Sequence, residues 1–295
     1  MTDTSDFENM ERDGWSNPSI AKGYADGFEM ATHLVAEKLA EAVGAKPNVE
    51  VLDLCTGHGV VAKELVTRGA KVTGLDFSEP MISIAKSSVP NATFVQGDAM
   101  ATGFSNESFD AVTIGFGVPH FPDARRGLIE AARVLKKGGR IAFSIWHGKG
   151  SNGSFGWLFD AVGRLADPLI TLPAGPDAHV LVDFEVAKSM VEDAGFTDAK
   201  LIEVASELSL QNPEALFDLF DGGAIRLDRA IKAHKSEANL TYAGYVICGS
   251  LDINCYEPEG SIFRRCELKR AWHFGERIVR HAKDCYAFYR RTQYI

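Results

Sequence analysis

Val51-Leu-Asp-Leu-Cys-Thr-Gly-His-Gly-Val60 decides the fold. An apolar run carrying one acid, Asp53, ends in a glycine-containing turn, and a helical pattern opens at Val60. Gly57 and Gly59 let the chain turn tightly and let a ligand approach the backbone closely. Such a turn aims backbone N–H groups at whatever lies above the carboxyl edge of a sheet. Asp53 adds negative charge at the strand end. That suits a cationic ligand part, an amine or a sulfonium, and disfavours a pyrophosphate.

Outward from this stretch, short apolar runs alternate with helix-length segments. Strands are expected at 49–54, 71–76, 92–96, 109–115 and 140–146, with a further one near 199–204. Helices are expected at 27–43, 60–67, 80–86, 123–135 and about 185–194, each with apolar residues at helical spacing. Strands joined by helices imply βαβ units and a doubly wound, mostly parallel sheet of the α/β class. Two more acids fall at strand ends. Asp76 closes the second strand, 19 positions after Gly57, the spacing at which an acid typically meets ribose hydroxyls. Asp98 follows the third strand, where a carboxylate can accept an exocyclic amine. Three carboxylates at successive strand ends converge on one crevice.

Gly57-His-Gly-Val-Val-Ala62 also fits the dinucleotide fingerprint G-x-G-x-x-A. A nicotinamide-dependent oxidoreductase is therefore an alternative. Against it stand the acid at the strand end, which repels a pyrophosphate, and the lack of any Tyr-x-x-x-Lys pair.

Longer stretches carry a resemblance. Asp76-Phe-Ser-Glu-Pro-Met81, Phe94-Val-Gln-Gly-Asp-Ala99, Phe109-Asp-Ala-Val-Thr-Ile-Gly-Phe-Gly117 and Arg133-Val-Leu-Lys-Lys-Gly-Gly139 together resemble the class I S-adenosylmethionine-dependent methyltransferases. Within that class they are similar to the menaquinone/ubiquinone C-methyltransferases and their small-molecule relatives. The resemblance covers about a third of the chain, residues 51–146. It implies a seven-stranded Rossmann-like methyltransferase fold and S-adenosyl-L-methionine as donor. By that resemblance Asp53 and the turn Cys55, Thr56, Gly57 and Gly59 contact the methionyl end. Asp76 holds the ribose, Phe77 and Met81 flank the adenine, and Asp98 and Ala99 read its edge. Gly115 and Phe116 line the far side, and Tyr24 covers the donor. The chain departs from the family pattern at Cys55, where a glycine is usual, at His58, where a small residue is common, and at Val118-Pro-His-Phe-Pro122.

The function expected is methyl transfer to an O, N or C atom of a small-molecule acceptor, a class that includes secondary metabolites. A donor-binding protein of the same fold without transfer is the other alternative. An in-line displacement at a sulfonium needs alignment, and a base only where the nucleophile loses a proton. His120, in the loop after the fourth strand, is the candidate catalytic base, because histidine titrates near neutrality. His147 is a weaker candidate. Cys55 reads as an apolar filler under the turn rather than a nucleophile. Phe116, Phe121, Trp146 and Trp157 are candidates for an aromatic acceptor wall, and Arg125 and Arg126 read as surface charges. No metal-ligand cluster is expected.

Composition bounds the rest. A formal charge of −9 disfavours binding along a phosphate backbone. The polar start is unlike a signal peptide, and no 18-residue apolar run implies a membrane span. Five scattered cysteines without a C-x-x-C pair fit a cytoplasmic protein better than a disulfide framework. Residues 1–17 read as a mobile acidic tail. Residues 18–255 read as the methyltransferase domain, with helical cap elements at about 150–181 and 213–236. Residues 256–295 read as a basic C-terminal extension, with nine Lys/Arg against three acids in 260–295. There Ile278, Ala282, Cys285 and Tyr289 fall on one face of a candidate helix.

Overall fold

The computed structural model describes residues 4–147, 172–177 and 180–204, positions 219 and 225, and the backbone of 285–291. Along the chain run α1 (Ser5–Trp15), α2 (Pro18–Ala42), β1 (Glu50–Leu54), α3 (Val60–Thr67), β2 (Lys71–Asp76), α4 (Glu79–Ser88), β3 (Thr93–Gln96) and β4 (Phe109–Ile114). Then follow α5 (Ala124–Val134), β5 (Leu135–Trp146), α6 (Phe184–Asp193), β6 (Thr197–Val204) and β7 (Cys285–Arg291). The strands hydrogen-bond in the order β3-β2-β1-β4-β5-β7-β6. The pairings β1 with β2, β1 with β4, β2 with β3 and β4 with β5 are parallel; β7 is antiparallel to both neighbours. The doubly wound, mostly parallel α/β expectation holds.

Side-chain alternation explains why both faces are covered. Leu52 and Leu54 join Leu75, Val112, Ile114 and Phe143 on one face, under Leu128 and Ala131 of α5 and Val191 of α6. Val51, Val72 and Ala111 join the opposite face, under Val35 and Leu39 of α2, Leu65 of α3 and Ile82 of α4. Successive strand residues point to opposite faces, so a strand buried on both reads as an unbroken apolar run. Helix starts are fixed locally. The side chains of Asn17, Ser78, Asp123 and Asp183 accept backbone N–H bonds at the starts of α2, α4, α5 and α6. Asn17 and Pro18 start α2 nine residues before the expected Gly27.

Two expected boundaries are corrected. Residues 5–15 are not a mobile tail: they form α1, whose Phe7, Met10 and Trp15 are buried with Ile20, Ala21, Met81 and Ile225. The hydroxyl of Ser78 donates to the carbonyl of Trp15 at 2.6 Å, tying the end of α1 to the start of α4. Residues 285–291 are not a helix outside the domain. They form β7, seated between β5 and β6, where the main chain finds ladder partners on both sides. Ile278 and Ala282 lie outside the described residues, as do Trp157 and most of the caps at about 150–181 and 213–236. Of the second cap, Leu219 and Ile225 are helical and buried. They press on Gly27 and Gly14, where a Cβ would lie 2.3 and 2.7 Å from their side chains. Among the described residues no helix is long and apolar enough to cross a membrane.

Candidate active site

The turn after β1 is braced from below. Asp53 is fully buried, and its two carboxylate oxygens accept from the hydroxyls of Thr56 and Thr113, each at 2.6 Å. Burial pushes its carboxyl up to about 6, against the pull of those hydrogen bonds. Asp53 is therefore a strut between β1 and β4 rather than part of the crevice wall. The hydroxyl of Thr56 is spent on it. Cys55 takes a left-handed φ of 53°, the conformation for which a glycine is usual. Its side chain fills the space over Gly117, where a Cβ would lie 2.5 Å from that of Cys55. Loss of solvent around the sulfur, with the charges of Asp76, Asp53 and Asp98, pushes the thiol well above its ordinary value. The filler reading of Cys55 fits this, since the thiolate a nucleophile needs is disfavoured.

Above the turn lies a two-part crevice. One part, about 660 Å³ counted out to open solvent, is lined by Tyr24, Gly57, His58, Met81, Gly115 and Phe116 among others. The other, about 450 Å³ on the same measure, is lined by Glu8, Arg12, Gly97, Asp98, Ala99 and Phe121 among others. Cys55, Asp76, Phe77 and His120 border both. Asp76 accepts from the N–H of Gly57 and of Ser78, each at 2.9 Å. Burial raises its carboxyl, and those backbone bonds oppose the shift. Asp98 accepts from the N–H of Met100 at 2.8 Å and faces the guanidinium of Arg12 at 3.5 Å. Arg12 in turn lies over the ring of Phe77, 5.4 Å from its centroid.

The opposite wall is aromatic. Phe116 stacks on Trp146 with centroids 4.1 Å apart, and Tyr24 stacks on Phe28 at 4.9 Å. Trp15 meets both Tyr24 and His120 edge-on, at 5.2 and 5.5 Å. His120 sits in the 3-10 turn Val118–His120, and its Nδ1 lies 2.8 Å from Oε2 of Glu11. His147 does not line either part of the crevice, and Arg125 pairs with Asp193 on the surface. Apart from Asp53 and Gly59, every donor-site residue expected from the sequence borders the crevice. Glu11, Arg12 and Trp15 were not expected there; the only trace of them is the sparse apolar spacing of Phe7, Met10 and Trp15. His58 was noted only as a departure. It is buried, its Nε2 has no hydrogen-bond partner, and burial lowers its ring from the usual value.

The arrangement fits a monocationic nucleoside. Carboxylates of Asp53, Asp76 and Asp98 all act on the one point occupied by Cys55, which favours a sulfonium and repels a pyrophosphate. Gly57 borders empty space: a Cβ there would meet nothing within 4 Å.

Residues 51–139 match the family model described as a methyltransferase domain. The demethylmenaquinone methyltransferase of Renibacterium salmoninarum is 30% identical over 216 residues, covering 68% of this chain and 81% of that protein. That of Lactococcus lactis is 44% identical over 112 residues, but the match spans only 35% of this chain and 44% of that protein. Among solved structures, phosphoethanolamine N-methyltransferase 2 of Haemonchus contortus, in complex with S-adenosyl-L-methionine, shares the fold. Its TM-score is 0.54 at 17% identity, covering 97% of this chain and 60% of that one. The cyclase SpnF shares it too, with a TM-score of 0.52 at 17% identity over 88% of this chain and 81% of that one. The chain belongs to the class I S-adenosylmethionine-dependent methyltransferases and is similar to the demethylmenaquinone enzymes.

Proposed function

We propose that this methyltransferase acts on a flat, hydroxyl-bearing aromatic acceptor, a hydroquinone or phenol, with His120 as the base. The observation that carries this is the place of His120: it borders both parts of the crevice, next to the aromatic residues Trp15 and Phe121. Trp146, stacked on Phe116, extends the aromatic surface. The names of the relatives make a demethylquinol the first acceptor to test.

When bound, the donor supplies a methyl carbon on a sulfonium, and the electron pair of the broken C–S bond leaves with sulfur. On this reading Asp76 holds the ribose hydroxyls, Phe77 and Met81 flank the adenine, and Asp98 with Ala99 meets its edge. The peptides of Cys55, Thr56, Gly57 and Gly59, with Tyr24, enclose the methionyl end, and Gly115 and Phe116 line the far side. Asp53 acts through the turn it braces and through its charge. His120 Nε2 takes the acceptor's hydroxyl proton as the new bond to the methyl carbon forms, and later passes that proton to water. The same step serves attack by the oxygen or by the neighbouring ring carbon. In the latter case the carbon then loses its own proton to water as the oxygen regains one, so that one proton leaves in all.

The test is methyl transfer from labelled donor into a demethylquinol and a phenol panel. His120→Ala should slow turnover by about 10²–10⁴, with affinity for S-adenosylhomocysteine unchanged. An unchanged rate removes His120 as base. Donor binding without transfer to any acceptor would favour a donor-binding protein of this fold.

A further inference from the structure

Glu11 is a carboxylate where none is comfortable. It is 2% exposed, on a helix whose other buried side chains are chiefly apolar. A buried charge is kept only when it is paired and hydrogen-bonded. Its Oε2 accepts from the indole N–H of Trp15 at 3.2 Å and lies 2.8 Å from Nδ1 of His120. Indole nitrogen is a donor only, and an ionised carboxylate is an acceptor only. With Glu11 ionised, that oxygen only accepts, and Nδ1 of His120 then carries the proton between them. A neutral imidazole protonated at Nδ1 leaves Nε2 bare, which is the form a base requires. Trp15 and the imidazole also pack edge to face, at an interplanar angle of 83°.

We propose that Glu11 is a positioning residue for methyl transfer: through Nδ1 it fixes His120 in the tautomer whose Nε2 accepts the acceptor's proton. The inference rests on the reading of His120 as base. It adds that the base is assembled across 109 positions of sequence and exists only while α1 lies on the crevice. When Nε2 is protonated, the same carboxylate faces the imidazolium, so charge forms beside a partner already in place.

The tautomer is read directly by multiple-bond ¹⁵N–¹H correlation spectra of the full-length protein labelled at histidine. The His120 signals are assigned by their loss in His120→Asn. The wild type should show Nδ1 protonated and Nε2 bare. Glu11→Ala should move His120 toward the Nε2-protonated form and slow turnover about 100-fold, the low end of what a positioned base contributes. Glu11→Gln, whose amide oxygen can accept both N–H bonds, should restore the tautomer and part of the rate. It also serves as the folded comparison if Glu11→Ala does not fold. Combining Glu11→Gln with His120→Ala should give a rate no lower than His120→Ala alone, because residues that act as a unit are not additive. A wild-type ring protonated at Nε2, or additive losses in the double variant, overturns the role of Glu11. An undiminished rate in His120→Ala with the tautomer as expected overturns the base reading instead, so the two failures are distinguishable.

Discussion

The two halves of the crevice are built in different ways. The donor half rests mainly on strand ends, with Arg12 of α1 reaching across to Asp98 and Phe77. Asp53, Asp76 and Asp98 each accept hydrogen bonds from their own turns, within a few residues or from an adjacent strand. The half proposed for the acceptor is made by docking. His120 stands on a turn after β4, and its partners Glu11 and Trp15 come from α1. The first half is preorganised by the sheet. The second depends on an 11-residue helix, too short to persist alone in water, staying in place. Local stability within one domain spans the whole range from fraying to global unfolding, and the contrast predicts α1 toward the low end.

The largest expected effect breaks the second half from a distance. Phe7 borders neither part of the crevice; it is 1% exposed, and its ring lies against Gly175. Phe7→Ala removes about 3–5 kcal/mol of packing, more than an 11-residue helix is expected to hold in reserve. Hydrogen exchange should show α1 amides losing protection while those of β1, β2 and β4 keep theirs, and turnover should fall about 100-fold. Protected α1 amides with normal turnover would mean that the helix is integral to the domain and the contrast is false.

The same division explains what could be read from the sequence. Every element from β1 to α6 announced itself through an unbroken apolar strand, a helical period or a glycine at a turn. The three strand-end acids followed from that register. Glu11 gave no signal, because a burial partner 109 positions away leaves no local pattern. The acidic surroundings of Phe7, Met10 and Trp15 masked the apolar spacing of α1. β7 was hidden for a related reason. The basic residues around Cys285–Arg291 read as a solvated helix, while its strand state is set by ladder partners on β5 and β6. The strand register gives the position of Asp53 but not its partners. That Thr113 and Thr56 satisfy both of its oxygens is a tertiary fact.

The donor half is sharpened by its acids. Asp76→Ala should weaken S-adenosylhomocysteine binding by about 1–3 kcal/mol through lost hydrogen bonds, with α1 protection unchanged. Equal affinities in calorimetry would end the ribose assignment. Asp53 should behave in the opposite sense for stability. Its folded value of about 6 lies above its ordinary 3.8, so the fold binds an extra proton between those values. Stability is therefore lost as pH rises from about 4 to 6 and stays lost above, a cost on the order of 3 kcal/mol. His58, lowered by burial, runs the other way, losing stability as pH falls through its unfolded value. Comparison with Asp53→Asn isolates the carboxylate. In urea titrations the variant should be more stable than the wild type at pH 8, and the gap should close at pH 4. A variant less stable at pH 8 would show that the two hydroxyl bonds outweigh the desolvation.

The smallest effect separates the two glycines of the turn. Both have positive φ, 53° at Gly57 and 91° at Gly59, so alanine strains the backbone at either by about 1 kcal/mol. Their surroundings differ. A Cβ at Gly59 would lie 3.3 Å from the side chains of Ala85 in α4 and of Val89 just beyond it, so Gly59→Ala also pushes α3 against the end of α4. A Cβ at Gly57 would project into empty space, the space assigned to the donor. Gly59→Ala should thus show the larger drop in melting temperature, and Gly57→Ala the larger loss of S-adenosylhomocysteine affinity. If the two variants rank the same way in both measurements, the glycines serve the turn alone. The donor would then have to approach the sheet edge elsewhere, away from the peptide of Gly57.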